Sequence, residues 1–171
     1  MITSDSNGEI LLLGDPRLRR LARPVPLPFA ADAQAAFAML HQTLDAFREA
    51  HGFGRAVAAP QIGVQYRFIA LALGGRRLTM VNPIVTWHST DTFTLWDDCM
   101  SFPDLMVKVA RHESISVEFI NDDGKTECWS ELDRATSELL QHEIDHLDGI
   151  LSVDRALDRE AFAMRSVITA N

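Results

Sequence analysis

Apolar residues recur at helical spacing in two stretches of this chain. The first stretch is DAQAAFAMLHQTLDAFREAHG, residues 32–52. In it, apolar side chains return every three or four positions, at Phe37, Leu40, Leu44 and Phe47. Because an α-helix has about 3.6 residues per turn, this spacing predicts a helix, and Gly52 is suited to end it. The second stretch, RATSELLQHEIDHLDGIL, predicts another helix, with Gly149 well placed to follow its last turn.

Between the two predicted helices, the chain is rich in the apolar and β-branched residues that favour strands. The strand-like stretches are YRFIALAL, RLTMVNPIVTW and ESISVEFIN, and TECWSEL is a returning strand after the turn signal NDDGK. A short apolar, strand-like run precedes the break at Gly14-Asp15-Pro16, GFGRAVAAPQIG is a predicted loop of small residues, and DREAFAMRSVITAN predicts a short third helix. Strands gathered between helices predict an α+β fold in a single domain, residues 1–171.

Composition limits the classes of function. A length of 171 residues suits one domain, and 47% hydrophobic with 23% charged residues is ordinary for a globular protein. A net charge of −8 and a pI near 5.1 argue against nucleic-acid binding through a basic surface and against a polybasic membrane patch. We find no apolar run of membrane-spanning length and no secretory signal in MITSDSNGEILLLGDP. Two cysteines do not suggest a disulfide framework, so we expect a cytoplasmic protein whose cysteines are free to bind metal.

The second predicted helix contains a His-Glu-x-x-His pattern. His142 and His146 are four residues apart and therefore share one helical face, where both imidazoles can bind one ion. Glu143 is rotated by about 100° from His142, which makes it a neighbour of such a site rather than a ligand. In this arrangement a glutamate handles the proton of the attacking water. The alternative is an acidic amphipathic helix that carries two histidines by chance.

A hydrolytic metal site needs a third protein ligand and an open position for water. No histidine occurs between Leu147 and Asn171, so a ligand downstream of the pair, as in a zincin-type protease, is missing. An upstream donor is therefore expected, and the candidates are Cys99, His88 and His112. Sequence spacing alone does not choose among them.

Three motifs in fixed order resemble those of the peptide deformylase family. The family pattern is a Gly-x-Gly-Leu-Ala-Ala-x-Gln loop, then Glu-Gly-Cys-Leu-Ser, then Gln-His-Glu-x-x-Asp-His on a helix. Here they read GRAVAAPQ (54–61), DDCMS (97–101) and QHEIDH (141–146), and the family's N-terminal signature is visible in ILLLGDPRLRRLARPV. The resemblance extends from about Ile10 to Arg155, and it implies an α+β fold with mostly antiparallel sheets around a central metal-binding helix.

Carried over residue by residue, the resemblance implies one divalent metal, bound by Cys99, His142 and His146. This metal is Fe(II) in cells, and zinc, nickel or cobalt can replace it in the purified protein. The resemblance also implies that Glu143 acts as general base and then as acid. Gln61 and the backbone N–H of Met100 would form the oxyanion hole.

Four further residues are expected to support the ligands from behind. The acids Asp97, Asp98 and Asp145 are candidates to orient the ligand imidazoles. By the resemblance, Asp145 pairs with Arg111 and holds the metal helix to the strand after the Cys99 segment. An ordinary exposed carboxylate at Asp145 is the alternative that sequence leaves open.

Departures from the family pattern gather on the substrate side. Ala56 replaces the second glycine of the first motif, Asp97-Asp98 replaces Glu-Gly, and Met100 replaces a leucine. Met106 stands seven residues after the cysteine, where the common bacterial type has an arginine. Glu138 lies one turn before His142, where the family has an apolar residue that lines the methionine pocket.

A carboxylate in such a pocket is costly unless it is paired or solvated, and Arg55 and Lys108 are the candidate partners for Glu138. The predicted substrate-binding residues are Gly54, Arg55, Ala56, Asp98 and Glu138.

The leading prediction is a metal-dependent hydrolase that removes the N-formyl group from the formylmethionine of nascent peptides. Its implied partners are the formylated peptide and, transiently, the ribosome, without nucleic-acid readout or membrane binding. One alternative is a deformylase-like formamide hydrolase with a more polar or cationic substrate, which Glu138 suggests. Another is a catalytically weak paralogue or silent metal-binding protein, against which the presence of Gln61 and Glu143 argues. A classical metalloprotease is a more distant alternative, because the downstream ligand is missing.

Overall fold

Both helices predicted from apolar spacing are present in the computed structural model, which describes residues 8–168. Helix α1 spans Ala31–His51, buries its four periodic apolar side chains and ends at Gly52, whose φ is 75°. Helix α2 spans Arg134–Leu147 and begins at Asp133, whose side chain accepts a hydrogen bond from the Thr136 amide at 2.9 Å. Within residues 8–168, no helix is long and apolar enough to cross a membrane.

The strands form two antiparallel sheets. In chain order they are β1 (Ala56–Ala58), β2 (Phe68–Leu73), β3 (Arg76–His88), β4 (Thr92–Asp98), β5 (Leu105–His112), β6 (Ile115–Ile120), β7 (Thr126–Trp129) and β8 (Phe162–Met164). The five-stranded sheet has the order β1-β2-β3-β6-β7, and the three-stranded sheet has the order β4-β5-β8. This architecture confirms the predicted α+β class and its antiparallel sheets.

Two local predictions were wrong, and a third was right only in part. The loop of small residues contains β1, because its alanines fit closely between β2 and α2. The apolar run before Gly14 is not a strand; its amides bond to two separate segments instead of forming a ladder with one neighbour. The tail forms β8 on the edge of the smaller sheet before a single helical turn, α3 (Arg165–Ile168). Residues 169–171, at the end of the predicted third helix, lie outside the described residues.

Helix α2 lies between the two sheets and carries the site. It contacts β1 on one side and β5 on the other. Its apolar residues pack into the core over the larger sheet, and include Leu139, Leu140, Ile144 and Leu147. Three polar residues of the same helix, His142, Glu143 and His146, are nevertheless almost fully buried. Buried polar groups need partners, so this side of α2 is where a functional site is expected.

Residues 10–23 form an N-terminal strap across the motifs. Backbone hydrogen bonds attach it to the first two motif segments and to the end of α2, through Leu11 N to Gln61 O (2.7 Å), Leu13 N to Ser101 O (2.9 Å) and Ala22 N to Leu147 O (2.8 Å). The strap therefore connects segments that are far apart in sequence. The backbone of Arg19, in the strap, also lies close to Gly149, just after the end of α2.

Replacing Gly149 with alanine should destabilise the fold strongly. Gly149 has a φ of +73°, and an added Cβ would lie 2.6 Å from the Arg19 carbonyl oxygen. Gly124 is a matched control, because its φ is +76° but nothing lies within 4 Å of an added Cβ. We expect Gly124→Ala to cost about 1–2 kcal/mol for the left-handed backbone. Gly149→Ala should cost about 1–3 kcal/mol more because of the contact.

The free energies of unfolding in urea would measure this difference. Equal losses in the two variants would mean that the close approach of the strap to α2 does not constrain position 149.

Candidate active site

Three potential metal ligands converge at the buried side of α2. Cys99 lies in the turn after β4, and His142 and His146 are one turn apart on α2. The Cys99 Sγ is 3.3 Å from His146 Nε2, and the two histidine Nε2 atoms are 3.2 Å apart. One atom from each residue lies within 4.8 Å of the other two, and all three residues are buried.

These distances fit a bound divalent ion. A tetrahedral ion with sulfur at about 2.3 Å and nitrogens at about 2.0–2.1 Å places its ligand atoms roughly 3.3–3.6 Å apart. One thiolate and two imidazoles suit a transition ion better than magnesium or calcium, which prefer oxygen ligands. Three protein ligands also leave a fourth position for a water molecule.

Of the three upstream candidates for the third ligand, Cys99 is the one that lies in this cluster, among the residues that the structure describes. The rings of His88 and His112 stack on each other with centroids 4.0 Å apart. Their Nδ1 atoms lie 3.0 and 2.8 Å from the Ser89 carbonyl oxygen. These two histidines line a different cavity, on the other side of α2.

A buried chain of charged side chains supports one of the ligands, His142. His142 Nδ1 lies 3.0 Å from Asp97 Oδ2, and Arg111 donates to the same oxygen at 3.0 Å. Arg111 also donates to Asp145 at 2.6 Å, which is the pairing implied by the resemblance. Burial raises the pKa of Asp97, but His142 and Arg111 outweigh it and lower that pKa to about 2. Asp97 is therefore an anion that fixes the His142 ring.

The other two predicted supporting acids do not touch an imidazole. Asp145 accepts from Arg111 and from Arg155, so it holds α2 to its surroundings. Asp98 accepts from Arg165 at 2.8 Å, and that guanidinium lies 4.1 Å from the centre of the Phe53 ring. Among residues 8–168, His146 Nδ1 has no hydrogen-bond partner.

The predicted proton carrier is next to the ligands. Glu143 is 4% exposed, and its Oε2 atom has no hydrogen-bond partner among the described residues. Burial raises the pKa of Glu143 to about 7. A divalent ion on the adjacent ligands would lower this pKa, because a nearby positive charge favours the carboxylate. With or without a bound ion, Glu143 keeps an unpartnered carboxyl oxygen that can exchange a proton with a molecule in the cavity.

The two predicted oxyanion donors lie beside Cys99. The Gln61 side chain accepts from the Ala58 amide at 2.9 Å, which fixes the direction of its NH2 group. That group donates to Ser101 Oγ at 3.2 Å and points at Cys99 Sγ, 3.6 Å away. Met100 follows Cys99 in the turn, so its backbone is adjacent to a ligand. Its side chain covers Gly54, where an added Cβ would lie 2.5 Å from the Met100 Cε atom.

A cavity of about 50 Å³ joins these groups. All five predicted substrate-binding residues line it, together with Gln61, Asp97, Cys99, Met100, His142 and Glu143. Phe53 and Leu139 also line it and were not predicted. Each of them is adjacent in sequence to a predicted residue. By contrast, Arg165 has no motif around it, and only the β5–β8 pairing brings it near Asp98.

Glu138 is paired with Arg55 and not with Lys108. Arg55 binds the Glu138 carboxylate with one terminal nitrogen and donates to the Ala135 carbonyl at 3.0 Å with the other. The Lys108 ammonium lies 5.9 Å from the centre of the Trp96 ring instead. Burial raises the pKa of Glu138, although the bond from Arg55 acts in the opposite direction.

Comparisons with known proteins agree with this geometry. The sequence profile of the polypeptide deformylase family matches residues 8–162. The peptide deformylase of Thermotoga maritima is 30% identical over 156 residues, covering 91% of each chain. That of Desulfitobacterium hafniense is 35% identical over 86% of this chain and 93% of its own.

Solved structures are similar as well. The crystal structure of the Thermotoga maritima peptide deformylase has a TM-score of 0.78 at 31% identity, covering 88% of this chain and 97% of its own. A peptide deformylase from Synechococcus elongatus, solved with actinonin, has a TM-score of 0.82 at 26% identity, covering 94% and 85%.

Removing the charge of Asp97 should weaken metal binding. In Asp97→Asn, the acceptor that orients His142 becomes a neutral amide, and we expect the affinity for Co(II) to fall by about 10–100-fold. Asp98→Asn is the matched control, because the adjacent Asp98 bonds to Arg165 and not to a ligand.

Competition with a chelator would measure both affinities. If the two variants lost affinity equally, the effect would come from the charge of the cavity and not from the bond to His142.

Proposed function

The chain belongs to the polypeptide deformylase family of metal-dependent hydrolases, and from this premise we propose how its own residues remove the formyl group from N-formylmethionyl peptides. One observation carries the assignment of roles. The ligand atoms of Cys99, His142 and His146 converge beside a buried Glu143, and the cavity lined by Glu143 is lined by Gln61 as well.

Cys99, His142 and His146 would hold one divalent ion, which would supply Lewis-acid chemistry for activating water and polarising the formyl carbonyl. The thiolate adds negative charge to the site, and Asp97 fixes the His142 ring from behind.

Glu143 is the general base and then the general acid. It accepts the proton of the attacking water and delivers it to the amine that leaves when the formamide C–N bond breaks. Its burial supports this role, because a carboxyl group with few competing partners exchanges protons readily at neutral pH. A binding protein without catalysis would need neither this carboxyl group nor the fixed Gln61 amide.

Gln61 and the Met100 backbone N–H stabilise the oxyanion of the tetrahedral intermediate. The bond from the Ala58 amide to Gln61 Oε1 supports this role, since it leaves the NH2 group directed toward Cys99. Fixed donors of this kind are worth about 10²–10³ in rate each. Gly54, Arg55, Ala56, Asp98 and Glu138 form the wall that receives the peptide.

We further propose that the resident ion is Fe(II), that the protein works in the cytoplasm and that it meets nascent peptides through transient contact with the ribosome. The sulfur and nitrogen ligand set supports a transition ion. A net charge of −8 supports a brief rather than a tight association with ribosomal RNA.

Glu143→Ala should nearly abolish turnover while the metal stays bound. We expect kcat for formyl-Met-Ala-Ser to fall by about 10²–10⁴-fold, because the water and the leaving amine lose their proton carrier. Steady-state assays of the metal-loaded protein, with metal content measured in parallel, test this. Wild-type activity no higher than that of Glu143→Ala would contradict the proposed function.

Anaerobic isolation should yield iron at one equivalent per chain. Cys99→Ala should contain much less, because the site then keeps only two protein ligands. Elemental analysis of both proteins, prepared without added metal, is the measurement. Stoichiometric zinc without iron in the anaerobic wild-type protein would refute the Fe(II) assignment and leave the hydrolytic function standing.

A further inference from the structure

An ion pair lines the cavity that receives the substrate. Arg55 extends from the segment before β1 to the start of α2, where it contacts both the Ala135 carbonyl and the Glu138 carboxylate. Both Arg55 and Glu138 line the cavity that Glu143 and two of the ligands, Cys99 and His142, also line. A charged pair is unusual at a surface that must accept an apolar methionine side chain.

The two members of this pair differ in their freedom to move. The Arg55 side chain is 45% exposed, whereas that of Glu138 is 13% exposed. Arg55 has a long flexible side chain and can turn outward into water. Glu138 has a shorter side chain on α2, a helix fixed by packing against both sheets. When the pair separates, it is therefore Arg55 that leaves.

The cavity is partly open to solvent, and Arg55 stands in its wall. The cavity measures about 50 Å³, which is room for a few water molecules. Outward movement of Arg55 would provide space, but it would leave Glu138 as a mostly buried carboxylate without its cation. An unpaired buried charge is strongly unfavourable, so a substrate that brings a replacement cation gains an advantage.

Glu138 is the carboxylate in this cavity whose partner can be exchanged. Asp97 is held by His142 and by the buried Arg111. Asp98 is held by Arg165, which also lies against Phe53 and donates to the Pro103 carbonyl. The partner of Glu138 is Arg55, which lines the cavity and is the more exposed member of that pair.

We propose that Arg55 and Glu138 determine specificity for the first residue of the peptide, and that they allow the enzyme to accept N-formyl peptides with a positively charged first side chain as well as formylmethionine. The ammonium or guanidinium of the substrate replaces Arg55 on Glu138. This inference rests on the proposed function, because it concerns the residue that carries the formyl group.

Two peptides that differ only in the cation test the inference. Formyl-Lys-Ala-Ser and formyl-norleucine-Ala-Ser have the same carbon chain, and only the first carries an ammonium group. The quantity measured is the ratio of their kcat/KM values with the metal-loaded protein, and formyl-Met-Ala-Ser is the reference substrate. Because the ratio is taken within one variant, losses of stability or metal content cancel.

The two residues should act in opposite directions. In Glu138→Gln, the lysine-to-norleucine ratio should fall by about tenfold or more, since a charge-assisted hydrogen bond is lost. In Arg55→Met, the ratio should rise several-fold, because the substrate ammonium no longer competes with the guanidinium. In the Glu143→Ala background, where turnover is nearly absent, the affinity for the lysine peptide relative to the norleucine peptide should fall with Glu138→Gln and rise with Arg55→Met.

A matched control is the ion pair between Arg77 and Asp45, whose side chains are 54% and 50% exposed. Neither residue lines the cavity. Arg77→Met and Asp45→Asn should leave the ratio within about twofold, since exposed ion pairs contribute little.

The outcomes separate the two proposals. An unchanged or higher ratio in Glu138→Gln, with formyl-Met-Ala-Ser still turned over, would overturn the inference alone. Failure of the wild-type protein to cleave any of the three peptides would overturn the proposed function instead.

Discussion

The geometry of the site depends on a buried guanidinium. Arg111, on β5, donates to Asp97 at the end of β4 and to Asp145 on α2, and all three side chains are largely removed from water. Removing one partner from such a buried network typically costs about 3–5 kcal/mol, because the remaining charge is left uncompensated. The same Asp97 fixes the ring of His142. One side chain therefore holds the smaller sheet and the metal helix in the arrangement that brings the ligands together.

This dependence explains how much of the site the sequence alone could predict. The shared face of His142 and His146 follows from local helix geometry, so spacing was sufficient to predict it. The position of Cys99 beside the two histidines depends on the β4–β5 pairing and on Arg111, whose bond to Asp145 joins residues 34 positions apart. Spacing contains no such information, and only the resemblance of three ordered motifs selected the cysteine in advance.

The missed elements have similar physical reasons. Strand β1 is an Ala-Val-Ala segment with a single β-branched residue and no polar alternation to mark it as a strand, and it forms because small residues fit between β2 and α2. Strand β8 exists only as an edge partner of β5. Met106 lies opposite Asp98 in the β4–β5 pairing and opposite Ala163 in the β5–β8 pairing. Arg165 follows Ala163 by two residues. The Arg165 guanidinium thus reaches Asp98 from the segment after β8. Position 106 itself carries a methionine in place of the arginine of the common bacterial type.

The N-terminal strap gives the enzyme a weakness outside its active site. Because the strap bonds to the backbone of the first two motif segments and of α2, a proteolytic cut within residues 10–23 would loosen the relative positions of Gln61, Cys99 and α2 while leaving every catalytic side chain intact. Activity would then be lost through altered geometry and not through altered chemistry. The hydrogen-exchange rates of the Leu11 and Leu13 amides, whose acceptors are Gln61 and Ser101, report directly on whether the motifs are still assembled.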